Sequence, residues 1–157
     1  MRKPMLRLLT AGATGLVVLA NIALPAAAAA CYQASEIEAD QAIRYQTELM
    51  VLSDTCGGDT YRTFTVQNRD AIVLYQKRMI EHFRRIGVRN PQSRFDSLQT
   101  RLANEEALRN AGEPAQSVCG RAAAILAQAR NLDGTGFKQQ VATLVAEHRA
   151  DYRRCRK

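Results

Sequence analysis

Apolar side chains recur every three or four positions along most of the chain after residue 31, which is the spacing of one face of an α-helix. The clearest run extends from Tyr61 to Ile86 and stops at Gly87. Similar runs precede and follow it, and glycine or proline separates most of them. The pattern predicts five helices, at about residues 35–55, 61–86, 91–110, 118–129 and 135–154.

Residues that favour helix ends agree with these boundaries. Ser35 followed by Glu38 predicts a capping box at the start of the first helix, and a double glycine follows its end. Asn90 before Pro91 predicts the start of the third, because asparagine caps free backbone N–H groups and proline suits the first turn. No window alternates with period two over more than four residues. The predicted fold is all-α, an up-and-down bundle of four to five helices joined by short connections.

The first 30 residues have the three parts of a secretory signal. Arg2, Lys3 and Arg7 precede an apolar stretch from Leu8 to Leu24, and a run of alanines follows. The stretch contains threonine, glycine and asparagine and ends in an Ala-x-Ala site rather than in charges, which favours a cleaved signal over a membrane anchor. We therefore expect residues 1–30 to be removed and residues 31–157 to form a single helical domain in the periplasm.

Removal of the signal changes the charge of the protein. The whole chain has a formal net charge of +7. Three cations and no acid lie in residues 1–30, so 19 basic and 15 acidic residues remain, a net charge of +4. The mature domain is therefore less basic than the whole chain, and its composition is that of an ordinary globular protein.

Four cysteines follow the predicted cleavage point, an even number that predicts two disulfides in an oxidising compartment. An up-and-down bundle places Cys56, Cys119 and Cys155 near one end and Cys31 near the other. Pairing Cys56 with Cys119 is the most natural choice and leaves Cys31 with Cys155, which requires an extended N-terminal segment or a last helix that runs the other way. Pairing Cys155 with Cys56 or with Cys119 is the alternative.

Cys31 directly follows the predicted cleavage point, which raises the alternative of a lipoprotein anchored through this residue. The usual lipidation signal has leucine three residues before the cysteine, and Ala28 stands there instead. A structural half-cystine is the simpler interpretation. Lipidation would place the protein on a membrane leaflet, with its basic helix ends near the headgroups.

No catalytic, cofactor or metal motif is present, and we expect neither an enzyme nor a cofactor. We expect His148 to be partly buried on the apolar face of the last helix, and His82 to lie near the negative end of the second. Glu105 and Glu106 are adjacent on a helix, so they point in different directions and are expected to be solvated. Tyr45 fits its apolar stripe poorly and is predicted to be exposed, where tyrosine can anchor an interface.

Two arginine-rich clusters lie at predicted helix ends, where cations offset the helix dipole. Export argues against nucleic acid as a partner, and the functional interpretation that survives is an anionic surface such as lipid headgroups, lipopolysaccharide or an acidic protein. Arg84 and Arg85 form the first cluster. The candidate contacts are those of the second: Arg153, Arg154, Arg156 and Lys157.

Several segments between residues 40 and 120 resemble a group of small exported alphaproteobacterial proteins of unknown function. The similar segments are Gln46-Thr47-Glu48-Leu49-Met50-Val51, Cys56, Tyr61-x-x-Phe64, Thr100-x-Leu102-Ala103-Asn104 and Cys119. The resemblance implies a helical, disulfide-bonded periplasmic domain and supplies no catalytic residues. This chain has Tyr61-Arg62 where Tyr-Asn is commoner in the group.

The sequence thus favours a non-enzymatic accessory or binding protein of the cell envelope, whose partner the sequence does not identify. The alternatives are the lipoprotein anchored through Cys31 and a carrier of small ligands. The carrier would need a cavity between helices around His148 and Tyr152.

Overall fold

A computed structural model describes residues 31–156 of the protein. The predicted signal peptide and Lys157 lie outside the described residues. Within these residues no helix is both long enough and apolar enough to cross a bilayer.

The described chain is all-α, as predicted, and contains six helices rather than four or five. The third predicted helix, residues 91–110, has the expected bounds, and the start of the first is displaced by one residue. A short 3-10 turn, Arg149–Asp151, follows the last helix. The helices are α1 Ala34–Cys56, α2 Thr60–Gln67, α3 Arg69–Arg85, α4 Pro91–Asn110, α5 Ala115–Arg130 and α6 Gly134–Glu147.

The start of α1 differs from the prediction. Gln33 and Glu36 form the capping box, not Ser35 and Glu38, and the backbone N–H of Gln33 donates to the Glu36 carboxylate at 2.7 Å. Glutamine is a less usual N-cap residue than serine, so the sequence pattern placed the capping box two residues too far along the chain. At α4 the prediction is confirmed, because Asn90 Oδ1 accepts from the N–H of Ser93.

One predicted helix is divided in two. Asn68 separates α2 from α3 and has φ −113° and ψ 14°, outside the α-helical region. Its side-chain amide donates to the carbonyl of Phe64 at 2.9 Å and to that of Leu132 at 2.8 Å. The second bond ties the corner between α2 and α3 to the turn before α6.

Helix α1 lies at the centre and packs against each of the other five helices. Glu36 near its start binds Arg85 at the end of α3, so α3 runs antiparallel to α1. Cys119 in α5 is bonded to Cys56 at the end of α1. Because α1 is surrounded, many of its polar side chains are buried together with its apolar ones.

Aromatic rings fill the centre of the core. Phe137 of α6 lies against Tyr45, Phe64 and Tyr75, with ring centroids 6.1, 4.9 and 5.6 Å away. The prediction that Tyr45 is an exposed interface anchor is wrong, since only 2% of the residue is exposed. Because α1 packs against five helices, it is buried around most of its circumference, so departure from one apolar stripe did not mean exposure.

Both disulfides of the preferred pairing are present, Cys56–Cys119 and Cys31–Cys155. The expectation that Cys155 lies near Cys56 and Cys119 is wrong. Helix α6 runs back toward the start of α1, so the end of the chain reaches Cys31. Tyr32 and Arg154 form an isolated parallel β-bridge beside this disulfide.

Candidate functional site

A polar cavity lies on one side of α1, where α4 and α6 flank that helix. Its volume is about 540 Å³, within the range of pockets that bind small molecules. The side chains of Tyr45 and Glu48 on α1 border it, Glu106 lines it from α4, and His148 and Tyr152 border it at the end of the chain. We call this cavity the α4–α6 groove.

One end of the groove is a closed hydrogen-bond network around the buried Asp40. Arg44 Nε donates to Asp40 Oδ2 at 2.7 Å, and the hydroxyl of Tyr152 donates to the same oxygen at 2.5 Å. Gln41 Nε2 in turn donates to the Tyr152 hydroxyl oxygen at 2.6 Å. Burial and the neighbouring Asp40 carboxylate raise the pKa of Tyr152, so its hydroxyl stays protonated and remains a donor.

Toward the end of α1, polar groups of the groove lack partners. The Tyr45 hydroxyl has no hydrogen-bond partner, and burial, followed by the charge of Glu48, raises its pKa to about 12. Within residues 31–156 Glu48 forms no ion pair, and burial raises its pKa although the charge of Arg109 opposes this.

Glu106 is 5% exposed and also borders the groove. The guanidinium of Arg109, whose side chain is 66% exposed, contacts Glu106 Oε2. Oε2 thus has an ion-pair partner but no other hydrogen-bond partner. Oε1 accepts from Asn110 Nδ2 at 3.3 Å. Each oxygen of this carboxylate therefore contacts one neighbouring side chain of α4.

The groove is acidic although the domain as a whole is basic. Five carboxylates border it, those of Asp40, Glu48, Glu105, Glu106 and Asp151. Of the arginines in residues 31–156, Arg44 and Arg109 border it. Arg44 pairs with Asp40, Arg109 with Glu106, and Arg101 from outside the groove with Glu105. The carboxylate of the groove without an ion-pair contact in residues 31–156 is therefore that of Glu48.

The prediction that Glu105 and Glu106 are both solvated is wrong for Glu106. Adjacent helix residues do point in different directions, and here one direction is into the groove. His148 also differs from expectation: its side chain is 49% exposed rather than packed in an apolar face, and its Nδ1 lies 3.1 Å from Asp151 Oδ2. It ends α6 as the C-cap residue, where the chain leaves the core.

The arginines proposed to contact an anionic partner lie outside the groove. Arg153, Arg154 and Arg156 are exposed, but they follow the 3-10 turn in an extended segment instead of ending a helix. The backbone of this segment pairs with Tyr32, whose N–H donates to the carbonyl of Arg153 at 2.8 Å. Lys157 lies outside the described residues. Arg84 and Arg85 do occupy the last turn of α3.

A second polar cluster, which sequence reasoning missed, is buried between α1 and α3. Glu36 accepts from Arg85 at 2.7 and 2.6 Å, and its Oε2 lies 3.1 Å from His82 Nδ1. His82 is only 1% exposed, and the ring of Tyr32 stacks on it with centroids 4.3 Å apart. The Arg85 guanidinium also donates to the carbonyl of Cys31 at 2.8 Å. This cluster holds the start of the domain to α3.

The sequence carried a partial signal for the α4–α6 groove. Asp40, Arg44 and Glu48 stand at intervals of four on α1, which places them on one face of a helix. That spacing is also usual on a solvent-exposed helix, and only the position of α4 and α6 shows that this face borders a groove. Among residues 31–156 no three histidine, cysteine or acidic side chains are placed to hold a metal ion.

Comparisons of the chain with protein-family profiles, with curated proteins and with solved structures found no match.

Proposed function

We propose that the protein is an exported, non-enzymatic binding protein of the bacterial cell envelope that takes a small polar ligand in the α4–α6 groove. One observation carries the proposal: polar groups buried at the groove are left without hydrogen-bond partners. The Tyr45 hydroxyl is the clearest such group, and Glu106 Oε2 has the exposed Arg109 as its one polar contact. A buried polar atom without a partner costs free energy, and a ligand that pairs with it recovers that cost on binding.

The rest of the molecule suits a binding scaffold. Two disulfides join segments that are far apart in sequence, and such bonds persist in oxidising compartments such as the periplasm. The groove is built from helices rather than from loops, which favours a preformed site. Its polar lining favours a polar ligand over a lipid tail.

Envelope localisation also admits the lipoprotein alternative, and the chemistry of Cys31 separates the two. Lipidation uses the sulfur of this cysteine, and a disulfide to Cys155 uses the same atom. The two modifications therefore exclude each other on one molecule. The disulfide favours a protein without a lipid anchor.

Intact mass spectrometry of protein purified from membrane and supernatant fractions of its own cells tests localisation. We expect a species that begins at Cys31 and has four alkylated thiols only after reduction. A membrane species heavier by acyl chains, with Cys31 blocked, would establish the lipoprotein instead.

Ligand binding is tested with a variant that fills the groove. We expect native protein to release a small molecule on denaturation, or to be stabilised thermally by members of a panel of polar metabolites. His148→Trp should abolish these effects, because His148 borders the groove and is exposed enough to accept a larger ring. Gln139→Trp, at an exposed position of α6 outside the groove, is the matched control. Absence of release and of any shift, or equal effects of both variants, would contradict a binding function in this groove.

A further inference from the structure

We propose that the ligand of the α4–α6 groove is a linear organic ammonium cation, held by the carboxylates of Glu48 and Glu106 and by the hydroxyl of Tyr45. The inference rests on the proposed function and names the class of ligand. It is not the anionic partner that the arginine clusters suggested.

The first argument is the local charge. Residues 31–157 have 19 basic and 15 acidic side chains, yet five carboxylates and two guanidinium groups border the groove. Asp40, Glu105 and Glu106 each have an arginine partner, although that of Glu106 is the largely exposed Arg109, whereas Glu48 forms no ion pair within the described part of the chain. A cation in the groove would offset the charge that these arginines leave uncompensated.

The second argument is the location of unpartnered polar atoms. Three buried side-chain atoms in residues 31–156 have no hydrogen-bond partner. Two of them, the Tyr45 hydroxyl and Glu106 Oε2, belong to residues that line this groove, and the third is Asn68 Oδ1. Both residues at the groove are more than nine-tenths buried. The Tyr45 hydroxyl carries no charge, so its lack of a partner is independent of the charge count.

An ammonium group matches these atoms. It has three donors and no acceptor, and carboxylate and hydroxyl oxygens are acceptors. Bonds between an ammonium and a carboxylate are charge-assisted and among the stronger hydrogen bonds in proteins. The guanidinium of Arg109 contacts Glu106, and its 66% exposed side chain can turn toward solvent when a ligand ammonium takes its place.

The shape of the site favours a linear chain. Glu48 and Glu106 also border a second cavity of about 150 Å³ on their other side, beside Leu52 and Val118. The two carboxylates therefore border both cavities, and the second also offers apolar side chains against which a methylene chain can pack. A bare divalent metal ion is a poorer fit, because calcium and magnesium need about six oxygen ligands in a compact shell. Within residues 31–156 no three acidic, histidine or cysteine side chains converge in that way.

Isothermal titration of the disulfide-bonded mature protein with spermidine tests the inference, with a linear diol of equal length as the uncharged control. We expect spermidine to bind and the diol not to. Glu106→Gln and Glu48→Gln should each weaken spermidine binding about tenfold, because each keeps the shape and removes one charged acceptor. Glu147→Gln removes the same charge from an exposed position of α6 outside the groove. The affinity of this control variant for spermidine should stay within about twofold of that of the wild type.

Absence of spermidine binding would overturn the inference. So would equal weakening by Glu147→Gln and Glu106→Gln, since the attraction would then be diffuse. If Glu106→Gln does not fold, Glu48→Gln and Tyr45→Phe decide the question. If the groove instead binds an uncharged ligand, and His148→Trp blocks that binding, the proposal of an ammonium ligand is overturned. The proposed binding function would then still stand. Failure of both the metabolite panel and spermidine would overturn the proposed function as well.

Discussion

Two tyrosines show how differently the same group is placed at the two ends of the groove. The hydroxyl of Tyr152 donates to Asp40 and accepts from Gln41, and every bond lies between 2.5 and 2.6 Å. The hydroxyl of Tyr45 is buried and has no partner. Removing a satisfied hydroxyl and removing an unsatisfied one should therefore change stability in opposite directions.

We expect Tyr152→Phe to lower the free energy of unfolding by about 2 kcal/mol, because it leaves a buried carboxylate without one of its donors. Tyr45→Phe should leave the free energy of unfolding unchanged or raise it by about 1 kcal/mol, because no bond is lost and a desolvated hydroxyl is removed. Urea denaturation of both variants measures the difference, and each serves as control for the other. A larger loss for Tyr45→Phe would contradict the assignment.

The buried Glu36 should give the domain a specific dependence on acid. Burial alone would raise the pKa of Glu36, but bonds from Arg85, from the Gln33 backbone and from His82 outweigh it and lower the pKa below the ordinary value of 4.5. A lowered folded pKa stabilises the fold above the ordinary value, and this stabilisation is lost as the pH falls through the folded pKa. The free energy of unfolding should therefore fall between about pH 5 and pH 3.

Glu36→Gln should lose about 2 kcal/mol at neutral pH and show a flatter pH dependence than wild type. Denaturation at several pH values compares it with Glu147→Gln, which changes an exposed glutamate and should follow the wild-type curve. Parallel curves for wild type and Glu36→Gln would show that this carboxylate does not contribute to acid sensitivity.

The corner between α2 and α3 shows what the apolar pattern predicts and what it does not. Apolar positions continue in phase from Tyr61 to Ile86, so the pattern correctly predicts helix on both sides of the break. The break itself depends on Asn68, whose amide reaches the carbonyl of Leu132, 64 residues away in sequence. Asparagine competes with helix by bonding to backbone, but only a distant partner determines whether it does so.

We expect Asn68→Ala to lower the free energy of unfolding by about 2 kcal/mol, because the carbonyls of Phe64 and Leu132 lose a buried donor. The same substitution at the exposed Asn104 of α4 should have little effect or stabilise slightly, because alanine favours helix. Thermal and chemical denaturation of both variants measure the two effects. Equal stabilities would mean that the corner is held by apolar packing rather than by Asn68.

At the scale of the whole molecule, the sequence predicted the fold class and the disulfide pairing better than it predicted which side chains are buried. The even number of cysteines and the preferred pairing agree with the structure, and so does the all-α class. The exposure of Tyr45, Glu106 and His148 was predicted wrongly, for a common reason. Burial of these residues depends on which helices surround α1 and on where α6 ends, and periodicity within one helix carries no information about its neighbours.

The Cys31–Cys155 disulfide should stabilise the domain more than Cys56–Cys119. It joins residues 124 apart, against 63 for the other, and loop-closure entropy rises with the length of the loop. The chain-entropy relation gives about 5 kcal/mol for the first and about 4 kcal/mol for the second. Urea unfolding of Cys31→Ser/Cys155→Ser and of Cys56→Ser/Cys119→Ser compares them directly.

The two variants should also differ in where protection from hydrogen exchange is lost. Without Cys31–Cys155, the bridge between Tyr32 and Arg154 loses its adjacent covalent link, so we expect faster exchange in residues 149–156 while α1 stays protected. Without Cys56–Cys119, exchange should rise at the start of α5 instead. Uniform loss of protection in both variants would mean that the domain opens as one unit, and that neither disulfide has a local role.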